Sequence, residues 1–245
     1  MNWQTILNKP AFVIHSSKLS PERKNFFTEN ITNSGYTNMQ IIEAVNGYDL
    51  EELQIITQKF NIFFADFLGK GQRGCLLSHL KLYKYIIDNN IDICTIFEDD
   101  VYFHSEWDKL APMYYRNTPK NFDIIFIGNQ SDGDPNVLPR IHQQACFCTH
   151  AYIITLDGAK KLLKYILKLN YKNYNNIGLT AIDILIKFFQ YDVLGGNINK
   201  NYFVWYCWNG CRNKCNNKYD SNHCGHEVRN MGLVYQSSSL PSCMS

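Results

Sequence analysis

The chain has 245 residues, of which 45% are hydrophobic and 19% are charged. This length and balance predict one large globular domain, or one domain with a small appendage. The formal net charge is only +2, and Lys and Arg form no block, so we expect no nucleic-acid partner. The N-terminus has no apolar segment of signal-peptide length, and no window approaches the roughly 20 apolar residues of a membrane helix. These features predict a cytoplasmic protein without a transmembrane segment; they leave its oligomeric state open.

The first fifty residues predict two strands joined by a helix. AFVIH (Ala11–His15) is a short apolar run and predicts a buried strand. Ser20 and Pro21 are typical of a helix start, and Gly35 of its end. MQIIEAVNG predicts a second strand that ends at Gly47. A β-α-β segment of these lengths favours a parallel pair with a right-handed crossover.

The remaining elements continue the alternation of strands and helices. GQRGCLLSHLKLYKYIIDNN has apolar residues at helical spacing and predicts a strong helix, and IDICTIF predicts the third strand. A short helix around Ser105 to Tyr115 and the strands FDIIFIG and CFCTHAYIIT follow. LDGAKKLLKYILKL, opened by Asp157, and LTAIDILIKFFQ predict two more helices. This order predicts an α/β fold, with helices flanking a mainly parallel sheet.

The third predicted strand ends in three acids, Glu98, Asp99 and Asp100. Ligands of open α/β sheets bind at the carboxyl ends of the strands, where these acids fall. Two unit charges about 4 Å apart repel by on the order of 4 kcal/mol at an effective dielectric near 20, so a cation or hydrogen-bond donors must offset them. Mn²⁺ or Mg²⁺ is the natural partner of carboxylate oxygens. Side-chain alternation would place Glu98 and Asp100 on one face and Asp99 on the other. The alternative is a solvated strand-to-loop turn.

Several segments together resemble glycosyltransferase family 25, which includes lipooligosaccharide and collagen galactosyltransferases. GQRGCLLSHLKLYKYI followed by IFEDDV is similar to the family's central block, and FVIHSSKLSPERKNF to its first strand and helix. EAVNG, THAYIITLDGAKKLL, AID and GLVYQSSSLPS resemble further blocks of the family in the same order. The resemblance implies a GT-A-like fold for residues 1–200, with 201–245 as a Cys/His-rich segment packed on the same domain.

The resemblance implies a metal-dependent, inverting transfer of a hexose, first of all galactose, from a UDP-sugar to a hydroxyl of a glycan or protein. Glu98 and Asp100 would hold Mn²⁺ or Mg²⁺, although the family's motif usually begins with Asp. Asp99 would support the donor sugar or the sheet edge, and Asp183 would be the catalytic base or, alternatively, a helix cap. The alternatives are another nucleotide sugar as donor, or a catalytically silent member that acts as a binding or scaffold protein.

The same resemblance implies a set of residues that bind the nucleotide-sugar donor. They are His15, which replaces the usual Asn, with Arg23, Asn46, Gly47, Ser78, His79, His150 and Gln236. Several of them also have an ordinary structural interpretation: a solvated Arg, an Asn-Gly turn, or a packed helical His. The sequence does not identify the acceptor, which is lipopolysaccharide, collagen-like hydroxylysine or a viral or cellular glycan. The bias toward Asn, Lys, Ile and Tyr is typical of AT-rich genomes, so one expectation is a virus-encoded protein that acts in the host cytoplasm.

The nine cysteines divide into four in the first 150 residues and five after residue 200, namely Cys207, Cys211, Cys215, Cys224 and Cys243. Cys75, Cys94, Cys146 and Cys148 have apolar sequence neighbours and are expected to be small core residues. Later positions form a cluster that predicts either a structural zinc site or disulfides, with an unspecialised insert as the third interpretation. This cluster comprises Cys207, Cys211, Cys215, Cys224, His223 and His226.

Overall fold

The computed structural model describes residues 1–130, 140–143, 145–171, 178–195, 202–209 and 232–236. Within these ranges the helices are α1 (Trp3–Leu7), α2 (Arg23–Asn33), α3 (Leu50–Phe60), α4 (Lys70–Asp88), α5 (Trp107–Asn117), α6 (Leu156–Tyr171) and α7 (Ile182–Leu194). The strands are β1 (Ala11–His15), β2 (Met39–Glu43), β3 (Ile93–Glu98), β4 (Val101–Phe103), β5 (Ile124–Gln130), β6 (Arg140–His142), β7 (Phe147–Thr155), β8 (Trp205–Asn209) and β9 (Val234–Gln236).

The main sheet has the strand order β2-β1-β3-β7-β5-β8-β6, and β4 pairs with β9 in a separate ribbon. An α/β fold with helices flanking a sheet is therefore confirmed. The pairing is mixed. β1 is parallel to β2 and β3, and β5 is parallel to β8, whereas β7 is antiparallel to both of its neighbours and β6 is antiparallel to β8. The antiparallel β7 separates β3 from β5, so the sheet contains two parallel blocks.

The predicted parallel pair at the start of the chain is confirmed, with Ala11 opposite Met39. The helix between these strands begins at Arg23, two residues later than its first predicted position. The reason is a tighter turn before it, in which the amides of Arg23 and Lys24 donate to the carbonyls of Ser20 and Pro21. These are i to i+3 bonds, which are common just before an α-helix.

Helices cover both faces of the main sheet. α3, α4, α6 and α7 contribute to one apolar cluster, and α1, α2 and α5 contribute to the other. Strand β1 serves both clusters, because Phe12 and Ile14 point into the first while Ala11 and Val13 point into the second. A strand buried on both faces has no solvated side, which explains its continuous apolar sequence.

The start of α4 lies against the loop after β2. A Cβ on Gly74 would be 2.6 Å from the carbonyl oxygen of Val45 and 2.9 Å from the amide nitrogen of Gly47. One turn further along α4, the Ser78 hydroxyl accepts a hydrogen bond from the Val45 amide at 2.8 Å and donates to the Gly74 carbonyl at 2.7 Å. The absence of a side chain at Gly74 therefore sets the distance between α4 and this loop.

We expect Gly74→Ala to lower the free energy of unfolding by about 1–3 kcal/mol, because the added methyl group must push two backbone segments apart. Gly69→Ala is the control. A Cβ there meets only the Gln72 side-chain oxygen at 3.5 Å, so the change should stay within about 1 kcal/mol. Urea denaturation measures both. Equal destabilisation by the two variants would contradict the close approach.

Strands β8 and β9 lie beyond residue 200 and pair with strands from the earlier part of the chain. A domain boundary at residue 200 stays a prediction. No helix of the described ranges is both long and apolar enough to cross a membrane.

Candidate functional site

The three acids lie at the carboxyl end of β3, beside the end of β1. Glu98 is the last residue of β3 and pairs with Ile14, while Asp99 and Asp100 form the turn that leads into β4. The carboxylates of these acids have different partners. Glu98 contacts α4 and β7, Asp99 contacts β1 and α2, and Asp100 contacts β9 and, at a longer distance, α2.

Asp99 is a buried carboxylate with two partners. Its Oδ1 accepts a hydrogen bond from Arg23 Nη1 at 2.7 Å, and its Oδ2 lies 2.8 Å from His15 Nδ1. Only 7% of Asp99 and 3% of Arg23 is exposed. A buried charge is tolerated when it is paired and hydrogen-bonded, so Arg23 offsets the cost of burying Asp99.

Glu98 is held from two sides. The hydroxyl of Thr149, on β7, donates to its Oε1 at 2.9 Å, and Nε2 of His79, on α4, lies 3.6 Å from the same oxygen. Burial alone would raise the pKa of Glu98. The nearby imidazole of His79, aided by His150 and Thr149, outweighs burial and lowers the pKa below its ordinary value.

Asp100 has the least compensated charge of the three acids. Its Oδ2 accepts a hydrogen bond from Gln236 Nε2 at 2.9 Å and lies 3.9 Å from Arg23 Nη1. Its Oδ1 is buried and has no hydrogen-bond partner among the described residues. Burial, and then the negative charge of Glu98, raise the pKa of Asp100 to about 7. A cation beside Asp100 would remove this repulsion, so the chemistry of these oxygens fits a divalent ion.

A cleft opens over the three acids. Its polar lining comes from the turn after β1, from α2, the β2–α3 loop, α4, the three acids and β9. A neighbouring pocket of about 310 Å³ lies over the end of β2 and shares Ser16 and Ala44 with the cleft. The two spaces are therefore adjacent. The polar residues of the cleft are Ser16, Arg23, Tyr48, Cys75, Ser78, His79, Glu98, Asp99, Asp100 and Gln236.

Many of the residues expected at a donor site lie at this cleft. Those lining it are Arg23, Gly47, Ser78, His79 and Gln236, with all three acids. His15 lies behind Asp99, and Asn46 lines the neighbouring pocket. The Asn46 side chain also accepts the amide hydrogen of Tyr48 at 2.9 Å and so stabilises the turn. The binding roles of these residues stay predictions.

His150 and Asp183 are near the acids but are not among the residues that line the cleft. His150 is buried, with Nε2 3.0 Å from the carbonyl oxygen of Val234, which joins β7 to β9. Burial lowers its pKa, although the charge of Glu98 opposes this. Asp183 is half-buried near the start of α7, and its carboxylate accepts the amide hydrogen of Ile184 at 2.9 Å. Burial and the charge of Glu98 raise the pKa of Asp183.

The expectation that four cysteines are core residues is correct for two of them. Cys94 and Cys146 are buried. Cys75 and Cys148 are only half-buried, and Cys75 lines the cleft. The apolar sequence neighbours of Cys75 gave the wrong expectation of a core position, because Cys75 lies on the side of α4 that faces Glu98. The signal was its position four residues before His79, which places both side chains on one helix face. No feature of the sequence indicated that Thr149 would contact Glu98.

Cys207 lies in β8, inside the main sheet, with its sulfur 2.7 Å from that of Cys146. The other members of the predicted zinc or disulfide cluster lie outside the described residues. They are Cys211, Cys215, Cys224, His223 and His226.

Residues 8–136, just over half of the chain, match the model of the family described as "Glycosyltransferase family 25 (LPS biosynthesis protein)". Human procollagen galactosyltransferase 2 is 27% identical over 142 residues, which cover 51% of this chain and 23% of that protein. The bovine protein named "Probable inactive glycosyltransferase 25 family member 3" is 27% identical over 108 residues, which cover 39% of this chain and 18% of that protein. The chain thus spans less than a quarter of the length of either relative.

Among solved structures, this chain is similar to a glycosyltransferase involved in the glycosylation of the major capsid of PBCV-1. The TM-score is 0.48 at 9% identity, with 96% of this chain and 94% of the other covered.

Proposed function

Because the chain belongs to glycosyltransferase family 25, we propose that it transfers a hexose from a UDP-sugar to a hydroxyl of a glycan or protein acceptor. Galactose is the first candidate for the sugar, since curated relatives include procollagen galactosyltransferases. The transfer inverts the anomeric centre in a single displacement. The observation that carries this proposal is the acidic cleft, which Asp100, Arg23 and Gln236 line and where Oδ1 of Asp100 has no hydrogen-bond partner among the described residues.

The donor occupies the two adjacent spaces. The nucleoside lies in the pocket over the end of β2, near Asn46 and Ser16, and the diphosphate lies in the cleft over the acids. Glu98 and Asp100 supply oxygen ligands for Mn²⁺ or Mg²⁺. The bound ion would stabilise the negative charge of the departing diphosphate. Asp99, held by Arg23 and His15, keeps the turn between β3 and β4 in position.

Asp183 acts on the acceptor. The bond from the anomeric carbon to the diphosphate breaks as the acceptor oxygen attacks, and the acceptor proton passes to the carboxylate of Asp183. The diphosphate carries away the bonding electrons, so the donor leaves as UDP and charge is balanced. The raised pKa of Asp183 supports this role, because it makes the carboxylate a stronger base than an exposed Asp.

The test is calorimetric titration with UDP, with Mn²⁺ or with a chelator. We expect Mn²⁺-dependent binding, and Asp100→Ala should weaken it at least about 10-fold, because one of two carboxylate ligands is lost. Asp108→Ala, on the exposed side of α5, is the matched control and should bind like the original chain.

A panel of nucleotide sugars, assayed for UDP or other nucleotide release, then identifies the donor. If nucleotide is released from a different nucleotide sugar, that sugar is the donor in place of UDP-galactose, and the proposed type of reaction stands. UDP binding that is indifferent to Mn²⁺ and to Asp100→Ala would overturn the metal-dependent proposal. No nucleotide binding at all would identify a catalytically silent member that acts as a binding or scaffold protein.

A further inference from the structure

Three chemically different ligand groups converge on the α4 side of the cleft. Cys75 and His79 are four residues apart on α4, so their side chains project from the same face. Glu98 reaches them from the end of β3. The sulfur of Cys75, an imidazole nitrogen of His79 and a carboxylate oxygen of Glu98 all lie within 4.8 Å of one another. Ligand atoms of a tetrahedral zinc ion lie about 3.5 Å apart, so small side-chain rotations would close the group around an ion.

His79 is already oriented as a metal ligand would be. Its ring is fully buried, and Nδ1 is 2.7 Å from the hydroxyl of Tyr152. The Tyr152 hydroxyl is in turn 2.9 Å from that of Tyr83. Nε2 has no hydrogen-bond partner among the described residues and lies 3.6 Å from Glu98. Histidines that bind metals usually make a hydrogen bond through the other ring nitrogen, which fixes the ring.

We propose that Cys75, His79 and Glu98 bind one borderline transition-metal ion of the Zn²⁺ or Co²⁺ type. All three residues line the cleft, so the fourth coordination position opens toward it. Three protein ligands with one open position are typical of zinc sites that take water or substrate. A thiolate and an imidazole select such ions over Mg²⁺ or Mn²⁺, which prefer oxygen ligands.

This site is separate in chemistry from the oxygen site of Glu98 and Asp100, although the two share Glu98. The hydroxyl of Thr149 donates to Glu98 Oε1 and so restrains this shared carboxylate. The inference does not rest on glycosyl transfer, because it concerns binding of the metal alone. The competing interpretation is an ion pair between His79 and Glu98 with Cys75 as a bystander.

The experiment is titration of the chain with Co²⁺ alone, followed by the absorption of the cobalt–thiolate bond. Cys75→Ser should remove one equivalent of thiolate-bound cobalt, or weaken its binding at least about 10-fold. The difference in absorption between the original chain and Cys75→Ser excludes the contribution of cobalt bound to other cysteines. Cys94→Ser, a core cysteine that is 1% exposed, is the control and should titrate like the original chain. Identical titrations of the original chain and Cys75→Ser would overturn the site.

A second measurement uses the unmodified chain, in case Cys75→Ser folds poorly. Zn²⁺ should slow alkylation of Cys75, measured by mass spectrometry on the peptide that contains Cys75, and no slowing would count against the site.

Tyr152→Phe should weaken Co²⁺ binding about 10-fold, because the hydrogen bond to His79 is lost, while the cobalt–thiolate absorption is retained. Cobalt bound through Cys75 without any UDP binding would preserve this inference while rejecting the proposed transfer. UDP binding without cobalt bound through Cys75 would reject this inference and leave the proposed transfer intact.

Discussion

Replacing Arg23 with methionine is expected to lower the free energy of unfolding by about 3–5 kcal/mol, because it leaves the Asp99 carboxylate buried without its cation. Methionine fills much of the same volume, so loss of charge dominates over loss of packing. His15 remains 2.8 Å from Asp99 and offsets only part of the cost. Urea denaturation should show a lower midpoint with an unchanged slope.

An exposed ion pair on α4 provides the control for Arg23. Lys84 and Asp88 are 2.9 Å apart, with 41% and 53% of their side chains exposed, so Lys84→Met should cost less than about 1 kcal/mol. The double variant Arg23→Met with Asp99→Asn removes both charges and should recover part of the loss. A cost for Arg23→Met no larger than that for Lys84→Met would show that burial of the pair has been overestimated.

Asp183→Asn is expected to lower kcat by about 10²- to 10⁴-fold, because the amide cannot take the acceptor proton. The change keeps the shape of the side chain, and its oxygen can still accept the amide hydrogen of Ile184. KM for the donor should therefore remain near its original value. Steady-state kinetics with a saturating acceptor separate the two constants.

Asp192→Asn, on the same helix, is the matched control for Asp183. Asp192 accepts a hydrogen bond from Tyr165, which an Asn oxygen can also accept, and kcat should not change. If Asp183→Asn kept its turnover, the base would have to be another group. Asp183 would then be a carboxylate that stabilises the positive end of α7.

The elements that carry the site were predictable because their signals are local. The strand IDICTIF is short, apolar and flanked by polar residues, so both β3 and the acids at its end follow from the sequence. The spacing of Leu76, Leu80 and Tyr83 likewise predicts α4, whose buried face carries all three. The spacing of apolar residues and the composition are sufficient to predict an element that is regular and has one buried face.

The arrangement of distant segments was not predictable from local patterns. Nothing in CFCTHAYIIT indicates that β7 runs antiparallel between β3 and β5, because strand direction depends on the chain between elements. A place for Gln236 at the site was suggested only by a family resemblance, and its hydrogen bond to Asp100 was not predicted. The orientation of Cys75 also depends on how α4 rotates against β3, which its apolar neighbours do not specify.

The bond between Gln236 and Asp100 joins residues 136 positions apart. A ribosome that adds about 5–20 residues per second would synthesise Asp100 on the order of ten seconds before its amide partner. During that interval Asp100 lacks the amide group that donates a hydrogen bond to its Oδ2. The β4–β9 ribbon and the hydrogen bond that fixes Asp100 therefore form only after residue 236 has been synthesised.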